Sequence, residues 1–427
     1  MSNSLNELSA TEAAAQIADG NISSEALVRA CLERIEAREP DVAAWIYLDP
    51  HHALAQARQR DSEAATGPLH GIPVGFKDIV DTADMPTAYG SPIYRDCRPA
   101  TDAVCVTNTR AAGGIVMGKT VSTEFAFRYP GRTANPHNRL YSPGGSSSGS
   151  AAAVADCMVP LAIGTQTGGS VIRPAAYCGV YGYKATYNLL SFAGVRHLAE
   201  SFDSLGCMAR TLDDIALFRS VLMAIPPQPI GAGVETPPRI AFCRTPYWQE
   251  AQDATRELIE DAAGRFAAAG ADVVDFELPP SFDGILDLTW QVTHFECARC
   301  FAYDYAEHAE SISGAVRDAV EVGRAVPYER YIENLRTLES LRTEIHAALD
   351  GFDAILTPSA VGEAPLGLGD TGPITFNFLW TVLHMPAITL PLFTGPNDLP
   401  IGAQLVARRH DDDRLLAIAR WVERHIG

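Results

Sequence analysis

Residues 141–186 read YSPGGSSSGSAAAVADCMVPLAIGTQTGGSVIRPAAYCGVYGYKAT, and the placement of the two glycine-serine turns in this stretch decides the fold. The first turn, Gly144-Gly145-Ser146-Ser147-Ser148-Gly149, opens a small-residue helical run over 149–157. Unpaired backbone N–H groups at such a helix start favour negative charge. The second turn, Gly168-Gly169-Ser170, follows an apolar run at 159–163 and is preceded by Thr167. Glycines there let successive N–H groups point into one concavity, which is what a developing oxyanion requires. A phosphate-binding loop is set aside because neither turn carries the Gly-Lys-Ser/Thr ending. Gly145-Ser146-Ser147-Ser148-Gly149 satisfies G-x-S-x-G, but a nucleophile elbow needs a buried strand immediately before it. Asn135-Pro136-His137-Asn138-Arg139 and Pro143 are loop-forming instead. Two turns with no catalytic part remain the plain alternative at this point.

Working outward, short apolar runs at 72–76, 114–117, 159–163 and 179–183 read as buried strands, separated by helical patterns at 102–112 and 149–157. Further strands are expected at 239–243, 271–276, 354–357, 387–390 and 402–407. This alternation predicts an α/β protein with a large mixed, mostly parallel sheet covered by helices on both faces. Ser9 and Glu12 form a capping-box pattern, and a helix over 24–38 carries Leu27, Cys31 and Ile35 on one face. A proline-rich stretch at 226–238 reads as a connection, and 280–350 reads as mainly helical, with Trp290, Phe295, Phe301 and Tyr303 clustered near its start. The expected organisation is a single domain over 1–427: N-terminal helices at 1–65, a core at 66–225, a helical insertion at about 280–350 and a strand-helix segment at 351–427.

Composition narrows the function. A net charge of −19 over 427 residues argues against nucleic acid and against anionic lipid, both of which need a basic footprint. The first 30 residues lack a basic segment followed by an apolar one, and no apolar run reaches the ~18–20 residues of a membrane span. Nine scattered cysteines, an odd number, fit reduced thiols in a cytoplasmic protein. Of the 33 basic residues only Lys77, Lys119 and Lys184 are lysines. Lys77 closes the apolar run His70-Gly71-Ile72-Pro73-Val74-Gly75-Phe76-Lys77. A lysine entering a buried site loses proton affinity by desolvation and can act as a base, which a serine needs before it attacks.

These blocks resemble the amidase signature family, and its malonamidase-like branch in particular. Gly71-Ile72-Pro73-Val74 through Lys77-Asp78 is similar to the family's lysine block; Gly118-Lys119-Thr120 with Glu124-Phe125-Ala126 is similar to the next. Ser142-Pro143-Gly144-Gly145-Ser146-Ser147 and Gly164-Thr165-Gln166-Thr167-Gly168-Gly169-Ser170 are similar to the signature itself. Phe202-Asp203-Ser204, Met208-Ala209-Arg210-Thr211, Leu356-Thr357-Pro358, Met385-Pro386-Ala387 and 400–405 resemble later blocks. The resemblance implies the amidase signature fold and a cofactor-free serine hydrolase. That hydrolase would cleave the C–N bond of a small-molecule linear amide, with esters, ureas and carbamates also in range. It implies Ser170 as nucleophile, Ser146 after a cis peptide bond as proton relay and Lys77 as base. Backbone N–H groups of Thr167, Gly168, Gly169 and Ser170 would hold the oxyanion.

Two departures bear on the substrate. The family's usual aspartate before the turn is Gln166, and its arginine stands one place later, at Arg173; the malonamidase-like branch is similar at both points, and there the arginine contacts a substrate carboxylate. Arg173 as a structural anchor is the equal alternative. Gln166, Phe125, Tyr129 and Trp380 are candidate pocket residues by loop position, with His384 as a further neighbour better explained as a core histidine. Lys119 and Lys184 read as structural. Cys297, Cys300, His294 and His308 lack the second close pair a zinc site wants, so no metal is expected. No histidine has a carboxylate partner at motif spacing, which leaves a Ser-His-Asp device without support. A homodimer is the default assembly. The alternative function is an A-type subunit of a tRNA-dependent amidotransferase, a glutaminase with partner subunits; the chain is shorter than many relatives, with no further C-terminal domain expected, which makes this the second reading.

Overall fold

The computed structural model describes residues 4–230, 234 and 236–426. Among these, eleven strands form one sheet: β1 (Trp45–Leu48), β2 (Pro73–Lys77), β3 (Ile115–Thr120), β4 (Leu161–Gln166), β5 (Tyr181–Lys184), β6 (Ser204–Ala209), β7 (Arg239–Phe242), β8 (Asp272–Asp275), β9 (Ala354–Pro358), β10 (Ala387–Thr394) and β11 (Pro400–Val406). Their order across the sheet is β1-β3-β2-β4-β6-β5-β10-β11-β9-β7-β8. Strands β2, β3, β4, β6 and β9 are buried along their whole length, which explains why most of them read as unbroken apolar runs rather than alternating ones.

The sheet is mixed, but its balance differs from the mostly parallel sheet expected. Only β3-β2-β4 and β9-β7-β8 are joined by parallel ladders. The remaining pairs are antiparallel. The physical reason is insertion: β6 slots antiparallel between β4 and β5, and β11 slots antiparallel between β10 and β9. Strand β6 is an addition to the strands the sequence predicts, because Ser204-Leu205-Gly206-Cys207-Met208-Ala209 is poor in β-branched residues. Its glycine is required by close approach, since a Cβ at Gly206 would stand 2.4 Å from the Tyr183 carbonyl oxygen. Strand β1, within the segment expected to be helical, is the second addition.

Helical layers lie on both faces. Within β5, Gly182 packs on Ala175 of the helix Ile172–Cys178, whereas Tyr183 bonds Asp412 of the helix Asp412–Ile426. Successive strand residues point to opposite faces, so the sheet separates these two helices. The helix Ser148–Ala155 packs on β2, β4 and β6 and on Ile172–Cys178. At the N-terminus the Ser9–Glu12 capping box is formed in both directions, starting the helix Ala10–Ala18. Residues 285–348 form four helices, of which Ile285–Cys300 packs on Gly314–Ala325, Tyr328–Ala348 and Thr375–Val382. The connection expected over 226–238 includes residues 231–233 and 235, which lie outside the described residues. No helix among the described residues is long and apolar enough to cross a membrane. The nine cysteines are unpaired.

Candidate active site

Lys77 is the last residue of β2 and is fully buried. Its Nζ lies 2.6 Å from Ser146 Oγ and 2.8 Å from Thr165 Oγ1, donating to both, and no ion pair reaches it among the described residues. Burial drives the amine well below the ordinary lysine range; the field of Asp203 opposes this and that of Arg173 adds to it. A neutral amine here can accept the Ser146 hydroxyl proton across the same 2.6 Å contact. The other lysines are fully buried as well, away from the cavity. Lys119 Nζ donates to the Val80 carbonyl and Thr87 Oγ1 and stands 3.8 Å from Asp78, and burial lowers it to about 8. Lys184 Nζ donates to the Ala185 carbonyl, and burial lowers it to about 7. All three lysines are therefore core residues, and arginine supplies the surface cations.

The peptide bond between Gly145 and Ser146 is cis. Arg173 donates to the Gly145 carbonyl, and the Thr123 N–H donates to the Ser146 carbonyl at 3.2 Å. Ser170 stands in the turn between β4 and the helix Ile172–Cys178, on the wall of a cavity of about 280 Å³. Its hydroxyl makes no hydrogen bond among the described residues, and contacts of this kind commonly tighten only when substrate is bound. Ser147, by contrast, is fully buried, with Oγ 3.3 Å from both the Thr165 N–H and its carbonyl.

The turn at 167–170 is held from behind. Gln166 Oε1 accepts from the Val171 and Ile172 N–H groups at 2.8 and 3.0 Å, and its Nε2 donates to Thr381 Oγ1 at 2.9 Å. Thr381 in turn donates to the Gly168 carbonyl at 2.8 Å. Thr167 Oγ1 donates to Asp203. Thr167, Gly168 and Gly169 line the cavity together with Ser170 and Arg173. Arg173 is buried, and donates to the Gly372 and Gly145 carbonyls and to Thr371 Oγ1; its Nε has no partner. Burial lowers this guanidinium to about 10.

Several expected pocket residues stand elsewhere. Phe125 is buried beside Phe301, with ring centroids 5.2 Å apart and the Arg196 guanidinium 4.4 Å above it. A left-handed backbone at Phe125 and Ala126 turns the chain so that Ala126, Phe127 and Arg128 line the cavity instead. Tyr129 is exposed and borders a separate cleft with Ile46 and Arg95. Gln166 does not line the cavity; it is a brace for the turn. Trp380 is fully buried. His384 stacks on Tyr187 at 4.0 Å with Nε2 2.9 Å from the Ser201 carbonyl, and burial keeps it neutral. Cys297 and Cys300 lie on one helix, and no metal-binding cluster occurs among the described residues. The walls that sequence reasoning misses are Trp290, Ile374, Phe378, Leu198 and Arg128. The aromatic cluster around Trp290 is the available signal. A histidine-carboxylate pair is also present, with His197 Nδ1 2.9 Å from Asp203 Oδ2, and it faces Thr167 rather than Ser170.

The Amidase family model matches residues 26–416. The A-type component of the glutamyl-tRNA(Gln) amidotransferase of Streptomyces coelicolor is 31% identical, over 98% of this chain and 95% of that protein. The peptide amidase of Stenotrophomonas maltophilia superposes with a TM-score of 0.84 at 29% identity, covering 98% of this chain and 97% of the other. A further solved amidase gives 0.88 at 28% identity, covering 98% of this chain and all of that one. The matched length, the identity and the shared fold together make this chain a member of the Amidase family, an amidase-type hydrolase.

Proposed function

We propose that the chain hydrolyses the C–N bond of a linear amide through an acyl-enzyme on Ser170. The observation that carries this reading is the buried, carboxylate-free Lys77 amine 2.6 Å from Ser146 Oγ, beside the turn that presents Ser170. Ser170 Oγ attacks the carbonyl carbon and its proton passes to Ser146, whose own proton passes to Lys77. The negative charge on the former carbonyl oxygen is held by N–H groups of the 167–170 turn; losing one such donor typically costs ~3 kcal/mol of transition-state stabilisation. The intermediate collapses, and the proton returns through Ser146 to the departing amine. Water then attacks the acyl-enzyme by the same relay and releases the acid.

The substrate we favour carries a carboxylate, as in the malonamidase-like branch. Arg173 donates only to neutral acceptors and has no carboxylate bonded to it; the acid whose field it feels is Asp370. A second guanidinium, Arg128, lines the same cavity over the Trp290 ring at 4.6 Å and makes no ion pair among the described residues. Asp370, exposed at the rim, is the one acid among the described lining residues. A substrate carboxylate would supply the charge-assisted partner this wall lacks. The test compares kcat/KM for a short dicarboxylic monoamide and a neutral anilide in wild type and Arg173→Ala. Preference for the acid amide, lost in the variant, is expected. A ratio that the substitution leaves unchanged makes Arg173 an anchor only, and the enzyme a broad amide, ester or carbamate hydrolase.

The similarity to the A-type components of tRNA-dependent amidotransferases supports a second reading, a glutaminase working with partner proteins. It predicts co-purification with small partner proteins and a dependence on tRNA, where the first reading predicts full turnover by the chain alone.

A further inference from the structure

His197 and Asp203 form a unit that takes no part in the proposed proton relay. Asp203 is buried at the residue before β6, and its Oδ2 takes three donors: His197 Nδ1 at 2.9 Å, the Leu198 N–H at 2.8 Å and the Ala199 N–H at 3.1 Å. Its Oδ1 takes the Thr167 hydroxyl. Thr167 and Leu198 both line the cavity. The imidazole is partly exposed and lies against the Phe192 ring at 4.6 Å. A continuous chain of hydrogen bonds thus runs from a solvent-reaching imidazole, through a buried carboxylate, to the first residue of the 167–170 turn.

The same carboxylate acts on Lys77. Its field is the chief influence holding the amine's proton affinity up, against the burial that lowers it. The groups that face the imidazole are Asp203, Glu200 and, from the helix Ile285–Cys300, Glu296; Glu200 is paired with Arg299 at 3.2 Å. Hydrogen bonding to Asp203 raises His197 above the ordinary imidazole range, with burial opposing it. Cationic His197 offsets the Asp203 charge, so it reduces the pull that Asp203 exerts on the Lys77 proton.

We infer that His197 is a positioning residue for the hydrolytic reaction, holding Asp203 against Thr167 and thereby setting both the geometry of the turn and the field felt by Lys77. The inference rests on the role proposed above for that turn and for Lys77. Two variants separate its parts. In His197→Ala the donor and the charge are both removed; in His197→Asn a donor stands near the position of Nδ1 and the charge is removed. For His197→Ala, kcat falls about ten-fold, the size of one charge-assisted hydrogen bond, while KM stays within about two-fold. For His197→Asn most of kcat returns. In both variants the acid limb of the pH profile of kcat/KM moves to higher pH, because Asp203 without its cation strengthens proton binding at Lys77. A purely structural histidine would not move that limb. An acid limb at the wild-type position in His197→Asn overturns the inference whatever the value of kcat. Ser170→Ala is assayed alongside: retained turnover there defeats the reading of the whole site, whereas a dead Ser170→Ala with an unmoved limb defeats only the part given to His197.

Discussion

Lys77→Met tests the central electrostatic claim through stability as well as rate. Methionine nearly conserves the volume of the lysine stem, so the substitution leaves no large cavity in the fully buried site. It removes the hydrogen bonds from Nζ to Ser146 Oγ and Thr165 Oγ1. Their cost does not depend on pH, but the protonation of Lys77 does. In the unfolded chain the amine titrates near ~10.4. In the folded chain burial holds it well below that. Between the two values the unfolded state binds one more proton than the native state, so the stability of the wild type rises with pH by about 1.4 kcal/mol per unit. Below the folded value this gradient disappears, and above ~10.4 it is complete. Lys119, at about 8, and Lys184, at about 7, contribute gradients of the same sign, but these are present in both proteins and cancel in the comparison. Urea unfolding at about pH 8 and about pH 9.5 should therefore show wild type gaining about 2 kcal/mol on the variant between the two conditions. Activity in Lys77→Met should fall by about 10³-fold or more, as for removal of a general base that works as part of a relay. A stability gap that is the same at both pH values would mean that Lys77 is charged in the native state, and the relay would then lack its base.

Other outcomes follow from particular contacts. Ser170→Ala should reduce turnover at least about 10⁵-fold, and a fluorophosphonate should add its mass to the peptide carrying Ser170; an adduct on Ser147 would contradict the assignment. Gln166→Ala strips the Val171 and Ile172 N–H groups of their acceptor, so a loss of about 1–3 kcal/mol for each buried donor is expected in thermal unfolding, with Gln166→Glu retaining the acceptor and most of the stability. Gly206→Ala places a methyl group 2.4 Å from the Tyr183 carbonyl oxygen and should destabilise by about 1–3 kcal/mol; an unchanged melting temperature would show that β5 and β6 can part at no cost.

What can be read from the sequence follows from what is local. Lys77, Ser146 and the 166–170 turn each sit inside a contiguous run of distinctive residues, and the structure brings Lys77 and Ser146 into contact and puts Ser170 on the cavity wall. Strands buried on both faces show as apolar runs for the same reason. Strand β6 escapes because its pairing depends on a missing side chain at Gly206, not on β-forming residues. Loop position alone points Phe125 and Tyr129 at the pocket, and two left-handed residues, Phe125 and Ala126, redirect that loop. The His197–Asp203 pair has no motif spacing, because the turn at 199–203 folds the chain back within six residues. Trp290, Ile374 and Phe378 reach the cavity from segments with no motif, so only tertiary packing reveals them.

Two tethers tie the turn at 166–173 to chain made much later on the ribosome. Arg173 bonds the carbonyl of Gly372, 199 residues further along the chain, and Gln166 bonds Thr381, 215 residues further along. At about 5–20 residues per second a ribosome takes roughly 10–40 s to cover such a distance. During that interval the nascent chain already holds Lys77, Ser146 and Ser170 but lacks Thr381 behind the turn and the cavity wall built by residues 370–374 and Phe378. On the mechanism proposed here, hydrolytic competence arrives late in synthesis, and a chain truncated before residue 370 would carry all three proposed reacting side chains without a complete cavity.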